Sequence, residues 1–185
     1  MSISQVSSWG VHGTTLDIDP VNEGDLLIIF CGAADTGLTC SAVSELNGGP
    51  NYWWGVVTTT GAGTVTVSSS MAVLCVELSG AESGWSIDGE ITKDGAFGIG
   101  TWNMPSLSPS GGDELYFGIG TGSKKVAAGD TTGFTYTVAN LIAPDIVIAV
   151  NTDASSPNAY APNWVIPTAP TGQGGSGFAA LFVAS

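Results

Sequence analysis

The sequence predicts an all-β protein of the sandwich or barrel type, and three observations carry that prediction. Short runs rich in Val, Ile, Thr and aromatic residues recur through the 185 residues, each closed by Gly, Pro, Asn, Asp or Ser. Some of these runs alternate polar and apolar side chains, as a strand with one wet face must. Windows of about eleven residues show no apolar stripe at the 3.6-residue helical period. The 27 glycines also work against long helices, because each costs backbone entropy there.

The predicted strands, in order, are Asp25–Cys31, Tyr52–Thr59, Gly63–Ser69, Met71–Leu78, Glu114–Thr121, Phe134–Val138, Asp145–Asn151 and Gly177–Val183. Thr64-Val65-Thr66-Val67-Ser68 and Phe134-Thr135-Tyr136-Thr137-Val138 alternate cleanly, so each should show one face to water. Met71–Val76 and Ile146–Val150 are apolar at every position, the pattern of central strands covered on both sides. Residues 1–19 are expected to form an N-terminal arm or edge strand. The Ser- and Pro-rich stretch Ser106–Gly112 is too short for a linker, so residues 1–185 are read as a single β-sandwich domain.

Charge narrows the function. Three Lys and no Arg against 16 acidic residues give a net charge of −13, with only 10% of residues charged. Phosphate-tracking proteins cluster Lys and Arg, so a nucleic-acid partner is not expected. Docking on an anionic membrane is disfavoured for the same reason, and no apolar run approaches the ~18 residues of a membrane-spanning helix. At 43% apolar the chain is too hydrophobic for a disordered acidic tail. The opening Met1-Ser2-Ile3-Ser4-Gln5 lacks a basic segment followed by an apolar one, so no secretory signal is expected. With three cysteines and no C-x-x-C pair, Cys31, Cys40 and Cys75 read as reduced thiols in preference to a Cys31–Cys40 disulfide, and a zinc site is not expected.

The two halves echo each other. Gly24-Asp25-Leu26-Leu27-Ile28-Ile29-Phe30-Cys31-Gly32 resembles Gly112-Asp113-Glu114-Leu115-Tyr116-Phe117-Gly118-Ile119-Gly120, a Gly-Asp turn launching a strand that ends at Gly. Each half later carries an apolar strand after a small-residue stretch, at Ser68–Leu78 and Gly174–Val183. From about Gly24 to Ser185, the series GDLLIIFCGAADTG, VTVSSSMAVLCVELSGAE, SPSGGDELYFGIGTG, a Pro-rich loop and terminal GFAALFVAS resembles a jelly-roll family of bacteriophage virion proteins. That resemblance implies a two-sheet antiparallel sandwich of jelly-roll type and a structural role. The role implied is head decoration (cement), or a tail or fibre component, and it brings no catalytic residues.

The residues themselves offer little chemistry. His12 is the only histidine, so neither a His-based metal site nor a Ser-His-Asp triad is expected, and no G-x-S-x-G elbow is present. Glu77 with Glu82, Asp88 with Glu90, and Asp113 with Glu114 are the carboxylate pairs that glycosidase chemistry could use. Neighbours on a strand point to opposite faces, which sets the last pair aside. A structural Ca²⁺ could draw on Asp17 and Asp19, two carboxylates on one side of an extended segment, with Asp35, Asp88 and Asp153 in loop-like stretches. No cofactor or metal is counted as expected.

Six tryptophans remain. Trp53 and Trp54 are adjacent and must face opposite ways in a strand, while Trp85, Trp102 and Trp164 sit among loop-forming residues. Such rings can cap a core, anchor a protein interface or stack on a sugar. Trp53, Trp85, Trp102 and Trp164 are taken as interface candidates, together with residues 1–19. The expectation is a non-enzymatic capsid decoration protein, made in the host cytoplasm and sited on the capsid exterior. It would stabilise contacts between major capsid protein subunits, itself a homo-oligomer such as a trimer. A tail or fibre subunit, or a carbohydrate-binding module, is the alternative.

Overall fold

The computed structural model describes residues 3–49, 51–80, 84–96, 99–112, 114–122, 125–139, 145–167 and 174–185. Among these every regular element is a strand. In chain order they are β1 (Ser4–Ile18), β2 (Leu26–Cys31), β3 (Thr39–Cys40), β4 (Asn47–Gly48), β5 (Tyr52–Val56), β6 (Gly63–Ser79) and β7 (Trp85–Ala96). They continue with β8 (Gly100–Asn103), β9 (Glu114–Gly122), β10 (Ala127–Ala128), β11 (Thr135–Ala139), β12 (Asp145–Ala154), β13 (Asn163–Ile166) and β14 (Gly174–Ala184). The chain forms two compact units, Met1–Trp85 with Ser185, and Ser86–Ala184.

In the first unit the strand order is β1-β6-β2-β5-β4, with β3 also on β6, and every pairing is antiparallel. The two runs expected at Gly63–Ser69 and Met71–Leu78 are one strand, because Ser68-Ser69-Ser70 contains nothing that forces a turn. The seam survives as an irregularity: Gly13 lies opposite Met71 but Thr15 opposite Thr66, so four residues of β6 face one of β1. Alternation sends Leu27, Ile29, Cys31, Val73 and Cys75 to one face, where Leu38, Cys40, Val43, Val57 and Val65 close a core over them. Leu26, Ile28, Phe30, Leu74, Val76 and Leu78 on the opposite face are equally buried. Each such aliphatic side chain contributes about 1.5–3 kcal/mol by leaving water.

The main sheet of the second unit has the order β11-β12-β9-β14-β7, and β10-β13-β8 forms a separate small sheet. Its plan repeats the first. A central strand (β2 or β9) lies between two later strands (β5 and β6, or β12 and β14), the last of which is flanked by the strand preceding the centre (β1 or β7). A short partner precedes and pairs with β5 and with β12, namely β4 and β11. The Gly-Asp echo thus marks the two central strands, and Gly24 takes the left-handed φ of +91° that its turn requires. Asp113 lies outside the described residues.

On the inner face of this unit, β9 presents Tyr116, Gly118 and Gly120. The missing side chains leave room for rings: a Cβ at Gly120 would stand 2.7 Å from the indole of Trp164, and one at Gly118 2.9 Å from the Tyr116 ring. Trp164 is fully buried there with Met104, Val126, Val147, Ala149 and Ile166. Beside it Tyr116 meets Phe134 edge-on at 5.4 Å between centroids, and its hydroxyl donates to the carbonyl of Pro105 at 2.7 Å. The opposite face (Leu115, Phe117, Ile119, Ile146, Ile148, Phe178 and Phe182) is buried as well.

Candidate functional site

The buried carboxylates hold loops. Asp35 lies in the loop after β2, against the irregular stretch of β6. One of its oxygens takes the backbone N–H of Gly37 at 2.7 Å; the other takes both the N–H and the hydroxyl of Ser68, each at 2.7 Å. These bonds serve the ionised form, and the Ser68 hydroxyl foremost holds the acid below its usual range. Because the folded value is depressed, the stabilisation is present above the ordinary carboxylate range and is lost as pH falls through the lowered value. Asp35→Asn is therefore expected to melt lower than the wild type near neutral pH. Its acid-induced loss of Tm should also be shallower, read from thermal melts between about pH 7 and about pH 2. Equal acid slopes in the two proteins would remove Asp35 from this role.

Glu77 and Glu114 are buried too, but differently satisfied. Oε1 of Glu77 accepts the N–H of Val21 at 2.7 Å, and Oε1 of Glu114 accepts the N–H of Gly111 at 2.8 Å. Each fastens the loop that leads into its unit's central strand. In both, Oε2 is buried with no donor facing it, and burial raises both acids above their usual range. Asp25 stands beside Glu77, and Asp88 acts on Glu114. These are not the pairs the sequence suggested. Glu82 and Asp113 lie outside the described residues, and Asp88 and Glu90 are both exposed on β7. The acids weighed for calcium are spread out, with Asp17 on β1, Asp88 on β7 and Asp153 on β12. Among the described residues no three metal-ligating side chains gather.

The tryptophans expected in loops stand on strands. Trp85 opens β7, Trp102 lies on β8 and Trp164 on β13, where Trp102 and Trp164 face each other across the ladder. Gly, Ser and Asn around them read as turn formers, yet the short strands they flank pair and cover a core. Trp85 is buried, and its indole N–H donates to the carbonyl of Gly24 at 3.0 Å. Trp164 is buried completely. Trp53 packs on the first core and over Gly49, and Trp102 on the second; these two keep part of their rings exposed. Of the four interface candidates, they are the two with surface to offer.

The cysteines belong to the first core. All three are free thiols, and burial pushes Cys31 up to about 12 and raises Cys40 and Cys75. They are uncharged packing groups. His12 is exposed on β1.

The largest unfilled bonding capacity lies in β1. It is the end strand of its sheet, and among the described residues nothing pairs with its outer edge over 15 residues, about 50 Å of backbone. Such an edge is a template for another strand, and proteins blunt it with charge, Pro or bulges. β1 carries one charged side chain, Asp17, beyond its second register shift; the shifts lie at Gln5/Ser7 and Gly13/Thr15, leaving Ser7–Gly13 regular and without Lys, Arg, Asp, Glu or Pro. The corresponding end strand of the second unit, β7, carries the exposed acids Asp88 and Glu90. The acids of β7 lie on its strand, whereas Ser7–Gly13 of β1 is bare of charge.

No family model matches the chain, and no curated protein or solved structure matches it.

Proposed function

We propose that this chain is a non-enzymatic structural subunit of a bacteriophage virion, a decoration (cement) protein on the outside of the head. In this reading the outer edge of β1 pairs with an extended segment of the major capsid protein. The observation that carries it is the uncovered outer edge of β1, bare of charge over Ser7–Gly13. A partner strand there gains main-chain hydrogen bonds, and Ser, Thr and Gly cost little entropy to immobilise. The fold within this proposal is a two-sheet, jelly-roll-like sandwich. Its support is burial at every position of β2 and β9, of Met71–Leu78 in β6 and of Asp145–Val150 in β12.

Binding only the assembled shell would stabilise it by mass action, and a charge of −13 keeps the free subunit soluble and off packaged DNA. Purified protein is expected to co-sediment with expanded heads and to raise their melting temperature. Neither effect, or binding confined to tails, would overturn the decoration role; the second outcome would place the chain among tail or fibre subunits. A saturable tryptophan-fluorescence response to a glycan in place of heads would move it to the carbohydrate-binding class.

A further inference from the structure

The unmatched oxygens of Glu77 and Glu114 share a setting that calls for a proton. Glu77 lies opposite Leu27 in the β2–β6 ladder, so Asp25, two residues before Leu27, is its diagonal neighbour on the same face. Asp25 is itself buried and takes the side-chain N–H of Asn22 at 3.2 Å. Two desolvated carboxylates side by side cannot both stay ionised cheaply, because like charges in a low-dielectric site repel strongly. Oε1 of Glu77 is occupied by the Val21 N–H, whereas Oε2 is buried without a partner on the face it shares with Asp25. In the second unit Asp88 holds Ser110 through N–H and hydroxyl at 3.0 and 2.9 Å, and Glu114 holds the adjacent Gly111.

We propose that Glu77 is kept as the neutral acid, donating its Oε2 hydrogen to Asp25, and that Glu114 donates likewise to Asp88. Each unit then carries a proton-closed clasp on the loop that leads into its central strand. Burial and Asp25 favour the neutral form of Glu77, while the backbone N–H groups of residues 21 and 22 oppose it without cancelling the rise. β1 sets Ser7 opposite it, β6 places Cys75 two residues along the same face, β2 brings Asp25, and residues 21 and 22 bring backbone N–H groups. No basic group acts on Glu77 among the described residues. Loss of the proton leaves two facing carboxylates and loosens the loop at Val21.

The sign is fixed. An acid protonated in the folded state and ionised in the unfolded one makes stability fall as pH rises from the ordinary carboxylate range through the raised value. Infrared spectra of the full chain just above the ordinary carboxylate range are expected to show a protonated-carboxyl band that weakens in Glu77→Gln and again in Glu77→Gln/Glu114→Gln. The wild-type Tm should fall by ~2–4 °C across that pH interval. Glu77→Gln, whose amide donates the missing hydrogen, should flatten the fall, while Glu23→Gln, which removes the same charge at an exposed site, should leave it unchanged. A wild type without the carboxyl band, or a Glu77→Gln slope equal to that of Glu23→Gln, overturns the proposal. So does a rise in wild-type Tm with added calcium chloride that Glu77→Gln abolishes, since a cation would then bridge the pair.

Discussion

Trp164→Ala is expected to destabilise the second unit by about 3–5 kcal/mol, the range for truncating a fully buried aromatic side chain. The ring has no solvent exposure, lies among Met104, Val126, Val147 and Ala149, and rests on Gly120 of the central strand β9. The contact works in both directions. A Cβ at Gly120 would sit 2.7 Å from the indole, inside van der Waals contact with a rigid ring. Gly120→Ala should therefore cost roughly 1–3 kcal/mol by overpacking. Combined with Trp164→Ala, the same methyl group enters the space the ring vacated. The double variant should then fall short of the sum of the two singles by on the order of 0.5–3 kcal/mol. Urea unfolding followed by circular dichroism measures all four proteins. If Gly120→Ala costs the same with and without the indole, the ring does not set the glycine requirement.

That pair shows where a sequence stops being readable. Alternation and turn residues located the runs that became β2, β5, β6, β9, β11, β12 and β14, because their signal is local: period two and a punctuating Gly, Asp or Pro. The plan shared by the two sheets was audible only in the Gly-Asp echo, which identifies two strands and says nothing about their neighbours. Even that echo is offset in face. Asp25 points with Leu27 to the inner core of its unit, whereas in β9 it is Glu114, one residue past the Gly-Asp step, that shares the inner face with Tyr116. The strands β8 and β13 escaped because Gly100–Asn103 and Asn163–Ile166 are four residues each, flanked by turn formers, and exist through pairing with one another.

The polar groups were harder to read, for a physical reason. Whether a carboxylate is solvating, structural or protonated depends on what lies across a ladder or a loop, and none of that is near in sequence. Asp35 meets Ser68 across 33 positions, and Val21 meets Glu77 across 56. Glu77 follows an apolar run in the sequence, but its neighbour Asp25 is reached only through the β2–β6 register. Trp164 and Trp85 looked like surface anchors because their neighbours are polar. Their burial comes instead from a glycine on β9 in one case and the Gly24 carbonyl in the other.

Placing lysines on β1 should abolish docking while leaving the subunit folded. Ser8 and His12 are exposed and lie in the regular stretch Ser7–Gly13, on the same side of the strand. Neither side chain packs into a core, so Ser8→Lys/His12→Lys should change the stability of the free chain by less than about 0.5 kcal/mol per site. An incoming strand would have to desolvate both ammonium groups to lie alongside, which is how natural edges refuse partners. Losing two ladder hydrogen bonds, each worth about 0.5–1.5 kcal/mol net, weakens binding by about 5- to 150-fold. Co-sedimentation of the variant with expanded heads is the measurement, against Thr132→Lys at an exposed turn residue as the control for added charge. Because the chain carries −13, two added positive charges leave it strongly acidic, so weakening beyond that of the Thr132→Lys control is not an effect of net charge. Weaker binding would thus come from the blocked edge and not from long-range repulsion. A variant that still binds heads as the wild type does would mean that β1 is not the docking strand, and the function proposed from its bare edge would lose its footing.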